Sequence, residues 1–207
     1  MELVLRKKSL YLCISVDTMY KLFFENIAKH IQLDSAERDY LASKLLLRTT
    51  VKAEVLLREG AYCNHLFFVQ KGCLRIFQNH QDGTQTNILF CPENWWASDI
   101  ISFSGGVPAE YAIEALEICE LVCINAANLE ELYAKIPKLE RFFRILFQNG
   151  FALYQRRLTV ALSNSAEIRY ELFRKQYPTL MNRIAQKHIA SYLGITPVFL
   201  SMIRKRL

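Results

Sequence analysis

At 207 residues, with 52% hydrophobic and 22% charged side chains, the chain has the composition of a well-buried globular protein, which sets disorder aside. No stretch of eighteen apolar residues occurs, which argues against a transmembrane helix and leaves a cytoplasmic protein without a membrane partner as the expectation. The net charge of +6 is unevenly spread: Lys138 to Leu207 carries 13 Lys and Arg against 3 Asp and Glu, a net of +10, whereas the first 137 residues carry 13 against 17, a net of −4. A pI near 9.0 therefore conceals an acidic body and a basic tail, the asymmetry expected when one end of a chain neutralises phosphates.

Met19 begins a coherent amphipathic stretch, MYKLFFENIAKHI, so residues 1–18 have two readings, an extension from an upstream start or part of the native protein. Arg6, Lys7 and Lys8 precede the apolar run Leu10 to Val16, but that run is at the lower limit for a secretory segment and no small-x-small cleavage site follows. Residues 19–48 read as helices, with Asp34 and Glu37 forming a capping box and Tyr40, Leu41, Lys44 and Leu45 continuing at helical spacing. From Thr49 the pattern changes to short runs rich in Val, Ile, Phe and Leu at 49–57, 65–71, 73–79, 84–91, 109–117 and 118–124. Gly60, Gly72 and Asp82-Gly83 mark turns between them, so residues 19–136 are predicted to form a compact antiparallel barrel or roll.

Asn128 is predicted to cap a short helix through Lys135, and Pro137 to open a long one over 137–162. That helix carries two apolar stripes. One runs through Phe143, Phe147, Phe151, Tyr154, Leu158 and Leu162, the other through Leu139, Phe142, Leu146, Leu153 and Val160. A helix apolar on two faces must be covered on both. The roll can cover one; the other needs either the C-terminal helices or the same helix from a second copy, and Phe143, Phe147, Phe151, Tyr154 and Leu158 are the predicted dimer contacts.

Residues 163–207 form the last unit: a capped helix over 165–176, ending before Pro178, then Gln186 to Leu207, which reads as two short helices around a tight turn. Ile189 and Leu193 form the buried stripe of the first, and Ala190 is small where the second must cross closely. Gly194 tolerates the turn's backbone, Thr196 caps the second helix and Pro197 occupies its first position, where a missing N–H costs nothing. Leu200 and Ile203 supply the second helix's inward face and Ile195 plugs the turn. A generic αα-hairpin would share some of this spacing, but small-then-Gly spacing together with the basic tail favours a helix-turn-helix, which lays its second helix in a DNA major groove.

Cysteine and histidine carry no obvious chemistry. The six cysteines, at 13, 63, 73, 91, 119 and 123, lack paired ligand spacing and read as buried thiols in a reducing compartment. The four histidines, at 30, 65, 80 and 188, lack His-x-His or Cys-flanked spacing, so no zinc, iron–sulfur centre or other cofactor is expected. No Ser-His-Asp arrangement, phosphate loop or carboxylate pair stands out, and an enzyme is not expected.

Roll, long helix and terminal helix-turn-helix, in that order, resemble the Crp–Fnr family of bacterial regulators over residues 19–207. The matching stretches are REGAYCNHLFFVQKGCLRIF at 58–77 and IASYLGIT at 189–196, and the ending LSMIRKRL, without a following β-hairpin wing, is similar to the short members common in Bacteroidetes. The resemblance implies an α+β chain with a jelly-roll-like sensor, a homodimer, and paired helix-turn-helix units on palindromic double-stranded DNA.

Two departures qualify it. Cyclic-nucleotide binders of the family carry a Gly-Glu pair for the ribose and an Arg-Ser/Thr pair for the phosphate; here those positions fall near Ser98-Asp99 and Glu110-Tyr111. A carboxylate at Glu110 repels phosphate, so cyclic AMP is not expected to bind, although Asp99 retains the chemistry to meet a sugar hydroxyl. The iron–sulfur branch needs an N-terminal cysteine cluster, and only Cys13 is there.

The second departure is in the reading helix, where Val198 and Met202 replace the family's frequent Glu and Arg and offer only apolar contact. Base-facing candidates are Thr196, Val198, Phe199, Ser201, Met202 and Lys205, with Arg204 and Arg206 on phosphates; Phe199 equally suits packing between helices. Two function classes follow: a dimeric DNA-binding transcription regulator whose roll senses an unidentified effector or none, and a ligand-binding or protein-interaction module with a degenerate helix-turn-helix.

Overall fold

The computed structural model describes residues 16–206. The first fifteen residues, with Cys13 and most of the run Leu10 to Val16, lie outside the described part. Three short helices open it: α1 (Val16–Met19), α2 (Lys21–Ala28) and α3 (Ser35–Ser43). The predicted capping box is present, Asp34 Oδ1 accepting from Glu37 N at 2.8 Å and Glu37 Oε2 from Asp34 N at 2.8 Å. The helical stretch ends earlier than predicted. Leu46–Thr50 is already strand β1, paired along its whole length with β8, and this ladder overrides the local helical spacing.

Seven further strands follow: β2 (Val55–Leu57), β3 (His65–Lys71), β4 (Leu74–Asn79), β5 (Gln85–Cys91), β6 (Trp96–Ala97), β7 (Ala112–Ala115) and β8 (Cys119–Asn125). They form two four-stranded antiparallel sheets, β1-β8-β3-β6 and β2-β7-β4-β5. Side-chain alternation divides the first sheet cleanly. Phe67, Val69, Leu121 and Cys123 point inward onto Leu74, Ile76, Leu89 and Ile113 of the second sheet. Their neighbours Leu66, Phe68, Val122 and Ile124 point outward and pack under α2, α3, the helix α5 (Ala126–Lys135) and the start of the long helix α6 (Lys138–Ser163). At the β3–β4 turn, Gly72 has φ +93°, and a Cβ there would sit 2.6 Å from the Ile118 carbonyl oxygen, so only glycine fits.

Three sequence expectations need correction. The cap of α5 is Asn125, whose side chain accepts from Asn128 N at 2.7 Å; Asn128 is the third residue of the helix, with its amide nitrogen bonded to the Lys44 carbonyl. A helix not anticipated, α4 (Ile100–Gly105), interrupts the segment between β6 and β7. Phe143 is only 2% exposed. It packs edge-on against Trp96 and Tyr133 with ring centroids 5.5 and 5.7 Å away, so it belongs to the interior.

The C-terminal helices α7 (Ala166–Gln176), α8 (Gln186–Leu193) and α9 (Pro197–Arg206) fold back onto the outer face of the second sheet. Phe90 and Cys73 of that face join Phe173, Tyr177 and Leu193 in one apolar cluster. Polar contacts concentrate at β5, an edge strand with backbone groups to satisfy. The Ser191 hydroxyl accepts from Asn87 N at 2.9 Å and donates to the Gln85 carbonyl at 2.6 Å. Asn87 itself, fully buried, donates from Nδ2 to the His188 carbonyl and accepts at Oδ1 from Arg75. Arg183 adds ion pairs to Glu93 and Glu117.

Burial against this junction, with Arg75 of β4 and Lys187 beside it, lowers the His188 pKa to about 4, while Glu114 of β7 opposes the shift. A histidine depressed in the folded state favours folding fully above its unfolded pKa near 6.5, and that contribution falls as pH drops toward the folded value. Stability is therefore expected to decline between about pH 6.5 and 4 by roughly 1–2 kcal/mol, allowing for the ring's partial exposure. Urea melts at pH 7.0 and 5.0 check this, with His188→Gln expected to remove most of the difference.

Candidate nucleic-acid interface and effector cavity

The turn between α8 and α9 has the geometry its residues dictate. Gly194 adopts φ +67° and its N–H reaches back to the Ala190 and Ser191 carbonyls, closing α8. Thr196 Oγ1 accepts from Phe199 N at 3.2 Å, capping α9 ahead of Pro197. Ile189, Ala190, Leu193, Leu200 and Ile203 are all buried and lock the two helices together. The outer surface of α9 then presents Thr196, Val198, Ser201, Met202, Arg204, Lys205 and Arg206. Val198 is 72% and Met202 45% exposed, a large apolar display on a helix whose last turn is entirely basic. Phe199 differs from its neighbours: it is half-buried and packs against the C-terminal core.

The long helix α6 has one face in the protein and one outside it. Leu139 and Phe142 are buried and Leu146, Leu153 and Val160 half-buried. On the other side Phe147, Phe151, Tyr154, Leu158 and Leu162 form an exposed apolar stripe, between 36% exposed at Phe147 and 79% at Leu162. The C-terminal helices do not cover this stripe.

Between α6 and the roll lies a cavity of about 460 Å³, within the range of small-molecule sites. Ile76, Leu89 and Ala97 from the roll interior form its floor, and Phe147, Leu153 and Tyr154 its helical wall. Of the four residues expected at an effector pocket, only Ser98 lines it. The Ser98 hydroxyl is engaged with the His65 carbonyl at 3.2 Å.

Asp99 has a different role from the one expected. It is 2% exposed; Oδ1 accepts from Ser102 N at 3.0 Å, capping α4, while Oδ2 accepts from Glu110 N at 2.9 Å and Tyr111 N at 3.1 Å. Its carboxylate thus already occupies three backbone N–H groups that an anion would otherwise use, and no sugar hydroxyl has access to it. Glu110 faces solvent and Tyr111 packs against the roll core.

Sequence reasoning missed the cavity's real walls, Trp95, Trp96, Leu153 and Gly150. Gly150 carried a usable signal, since glycine inside a long helix is unfavourable by about 1 kcal/mol relative to alanine and here opens space beside the roll. Among the described residues, the five cysteines are free and buried, no cluster of three or more His, Cys, Asp and Glu is placed to hold a metal ion, and no helix is long and apolar enough to cross a membrane. Burial raises the thiols of Cys73 and Cys91 far above their ordinary range and that of Cys123 to about 11, so these three are not ready nucleophiles.

Comparison with known proteins agrees with this architecture. Residues 47–135 match the cyclic nucleotide-binding domain family. Among curated proteins, none matches the chain. Among solved structures, FixK2 from Bradyrhizobium japonicum superposes with a TM-score of 0.70 at 15% identity, covering 79% of this chain and 84% of its own. A protein assigned to the crp/fnr family from Eubacterium rectale gives 0.65 at 15%, covering 84% and 83%. CooA from Carboxydothermus hydrogenoformans, as a mutant, gives 0.64 at 12%, covering 87% and 82%. The chain has the fold of a Crp–Fnr regulator, with a cyclic nucleotide-binding-type domain at residues 47–135.

Proposed function

We propose that this protein is a dimeric, DNA-binding transcription regulator of the Crp–Fnr type whose roll responds to an effector other than a cyclic nucleotide. The observation that carries the reading is the exposed face of α9: a capped helix, held by a buried helix-turn-helix core, displaying Ser201, Met202 and three consecutive cations at its end. Arg204, Lys205 and Arg206 suit phosphate contacts, while Thr196, Val198, Ser201 and Met202 suit base edges and thymine methyl groups. Phe199 is assigned to packing. The apolar stripe on α6 supports pairing with the same helix of a second copy, and two-fold pairing would present two reading helices to a palindromic site.

A salt titration on a selected duplex and on a scrambled one tests DNA binding. Lys205→Ala with Arg206→Ala is expected to weaken both and flatten the dependence of affinity on salt, by about one unit of slope for each phosphate that is no longer neutralised. Ser201→Ala and Met202→Ala are expected to change which duplex is preferred. Retention of both affinities after deletion of residues 186–207 would refute the assignment. Phe151→Glu with Leu158→Glu is expected to yield a folded monomer by sedimentation, because these two charges would be buried at the paired helices.

Cyclic AMP and cyclic GMP are expected to give no heat of binding at micromolar concentrations. Asp99 satisfies the local amides internally, and Glu110 offers a carboxylate where phosphate would need a guanidinium. Micromolar affinity for either nucleotide would overturn this part. The second reading, an interaction module with no operator preference, would be favoured by equal affinity for all duplexes in a protein of intact fold.

A further inference from the structure

The cavity under α6 does not end at the roll. It shares Trp95, Leu153 and Arg156 with a second one of about 670 Å³, bounded by the C-terminal half of α6, by α7 and by the start of the helix-turn-helix. Together they follow α6 from Leu146 to Ala161, roughly 22 Å at the rise of an α-helix. The two halves differ in chemistry. The roll half is walled mainly by apolar side chains, whereas the second half gathers Arg156, Arg157, Arg169 and Lys175. Neither half is lined by an aspartate or glutamate.

Elsewhere this chain neutralises its buried and half-buried arginines. The buried Arg75 pairs with Glu114 and the half-buried Arg48 with Glu54, and even the exposed Arg183 pairs with Glu93 and Glu117. In the cleft, none of the four cations forms an ion pair among the described residues. Arg157 is used structurally, donating to the Asn87 and Tyr192 carbonyls. Arg169 gives one bond to the Ala161 carbonyl and leaves Nε buried without a partner. Arg157 and Arg169 are half-buried, whereas Arg156 and Lys175 stand exposed at the rim of the cleft. A half-buried cation with an unpartnered N–H and no ion pair favours an anion. The aromatic and aliphatic walls beside them, Trp95, Phe173, Tyr192 and Leu193, are unlike a DNA-backbone contact, and Ser201, Met202 and Lys205 of the reading helix do not line this cleft.

We infer that the continuous cleft binds an elongated amphipathic anion, an alkyl chain lying in the roll half and a carboxylate or phosphate monoester head meeting Arg156 and Arg169. The inference deepens the reading of the roll cavity as an effector site, and it makes the ligand a bridge between roll and reading head. Such a ligand touches Phe147 and Tyr154 of the exposed stripe at one end and the α8–α9 turn at the other.

The test is a fluorescence titration of the full chain, whose two tryptophans, Trp95 and Trp96, both line the cleft. The probes are dodecanoate and dodecyl phosphate below their micelle concentrations, 1-dodecanol as the uncharged chain, and inorganic phosphate as the head alone. Both amphiphilic anions are expected to saturate the signal and to bind at least tenfold tighter than dodecanol, with no saturable response to phosphate; the tighter anion identifies the head group. Shortening the chain from twelve to eight carbons should weaken binding severalfold per methylene. Arg156→Gln with Arg169→Gln, at unchanged circular dichroism and melting temperature, should lose the tenfold preference while leaving dodecanol unaffected. Equal affinity for dodecanol and dodecanoate, no saturable binding of either anion, or an undiminished preference in the double variant would overturn the proposal. So would a double variant that loses only duplex affinity, since the cations would then serve DNA phosphates. No DNA is present in the titration, so binding of the amphiphile by a chain that recognises no operator would leave this inference standing while the regulator reading fell.

Discussion

The polar contacts that seat the C-terminal helices on the roll converge on one residue of an edge strand. Asn87 is fully buried and each of its four polar groups is used by a different partner: its backbone N–H by Ser191, its carbonyl by Arg157, its side-chain amide nitrogen by the His188 carbonyl and its side-chain oxygen by Arg75. These partners come from α8, α6, α8 and β4. A β-bulge between Ile76 and Phe77 of the β4–β5 ladder sets Asn87 opposite Phe77 and leaves Ile88 as the extra residue. The free edge of β5 is thereby closed by a helix of the C-terminal unit, which protects the strand and fixes the angle of the helix-turn-helix in one arrangement. Losing one partner leaves a buried polar group unsatisfied, at about 1–3 kcal/mol each, so the junction holds as a set.

Arg157 extends that junction to the long helix. Its guanidinium bonds to β5 and to α8 while stacking 3.5 Å over the Tyr192 ring, so the roll, α6 and the first helix of the turn motif meet at a single side chain. One helical turn earlier, Leu153 and Tyr154 line the cavity under the roll, and Tyr154 also belongs to the exposed stripe. The wall of the cavity, the exposed apolar stripe and the contact with α8 therefore all lie on one helix. Under the proposed function, a switch on this helix requires two packings of α6, of which a ligand favours one.

Features governed by neighbours in the chain were readable before the fold was known. The Asp34–Glu37 box, the Gly194 turn, the Thr196 cap and the extent of α6 depend on spacing within a turn or two, and the structure has them within a residue or so. What could not be read depends on partners distant in sequence. Phe143 lies on the same helical spacing as Phe147, and only the packing of Trp96 and Tyr133 against it decides that it is interior. Leu46 continues a helical pattern until β8, more than seventy residues later, claims it. Phe199 had two readings, and the half-buried packing of its ring favours the inward one.

Asp99 is the most instructive of these cases, because its residue type suggested a ligand contact and its environment assigns a structural one. A carboxylate just ahead of α4 caps that helix, and its second oxygen gathers the two amides at the entrance to β7. The segment between β6 and β7 is thus tied shut by an internal negative charge. An external phosphate arriving there would have to displace a buried, triply hydrogen-bonded group and then lie beside it, at a cost that no nearby guanidinium offsets. The space open to a ligand lies instead along α6, where the walls are apolar on the roll side and cationic on the side of α7 and α8. The basic character of the C-terminal sequence thus reaches into the cleft, where Arg156, Arg157, Arg169 and Lys175 line the second half and form no ion pair among the described residues.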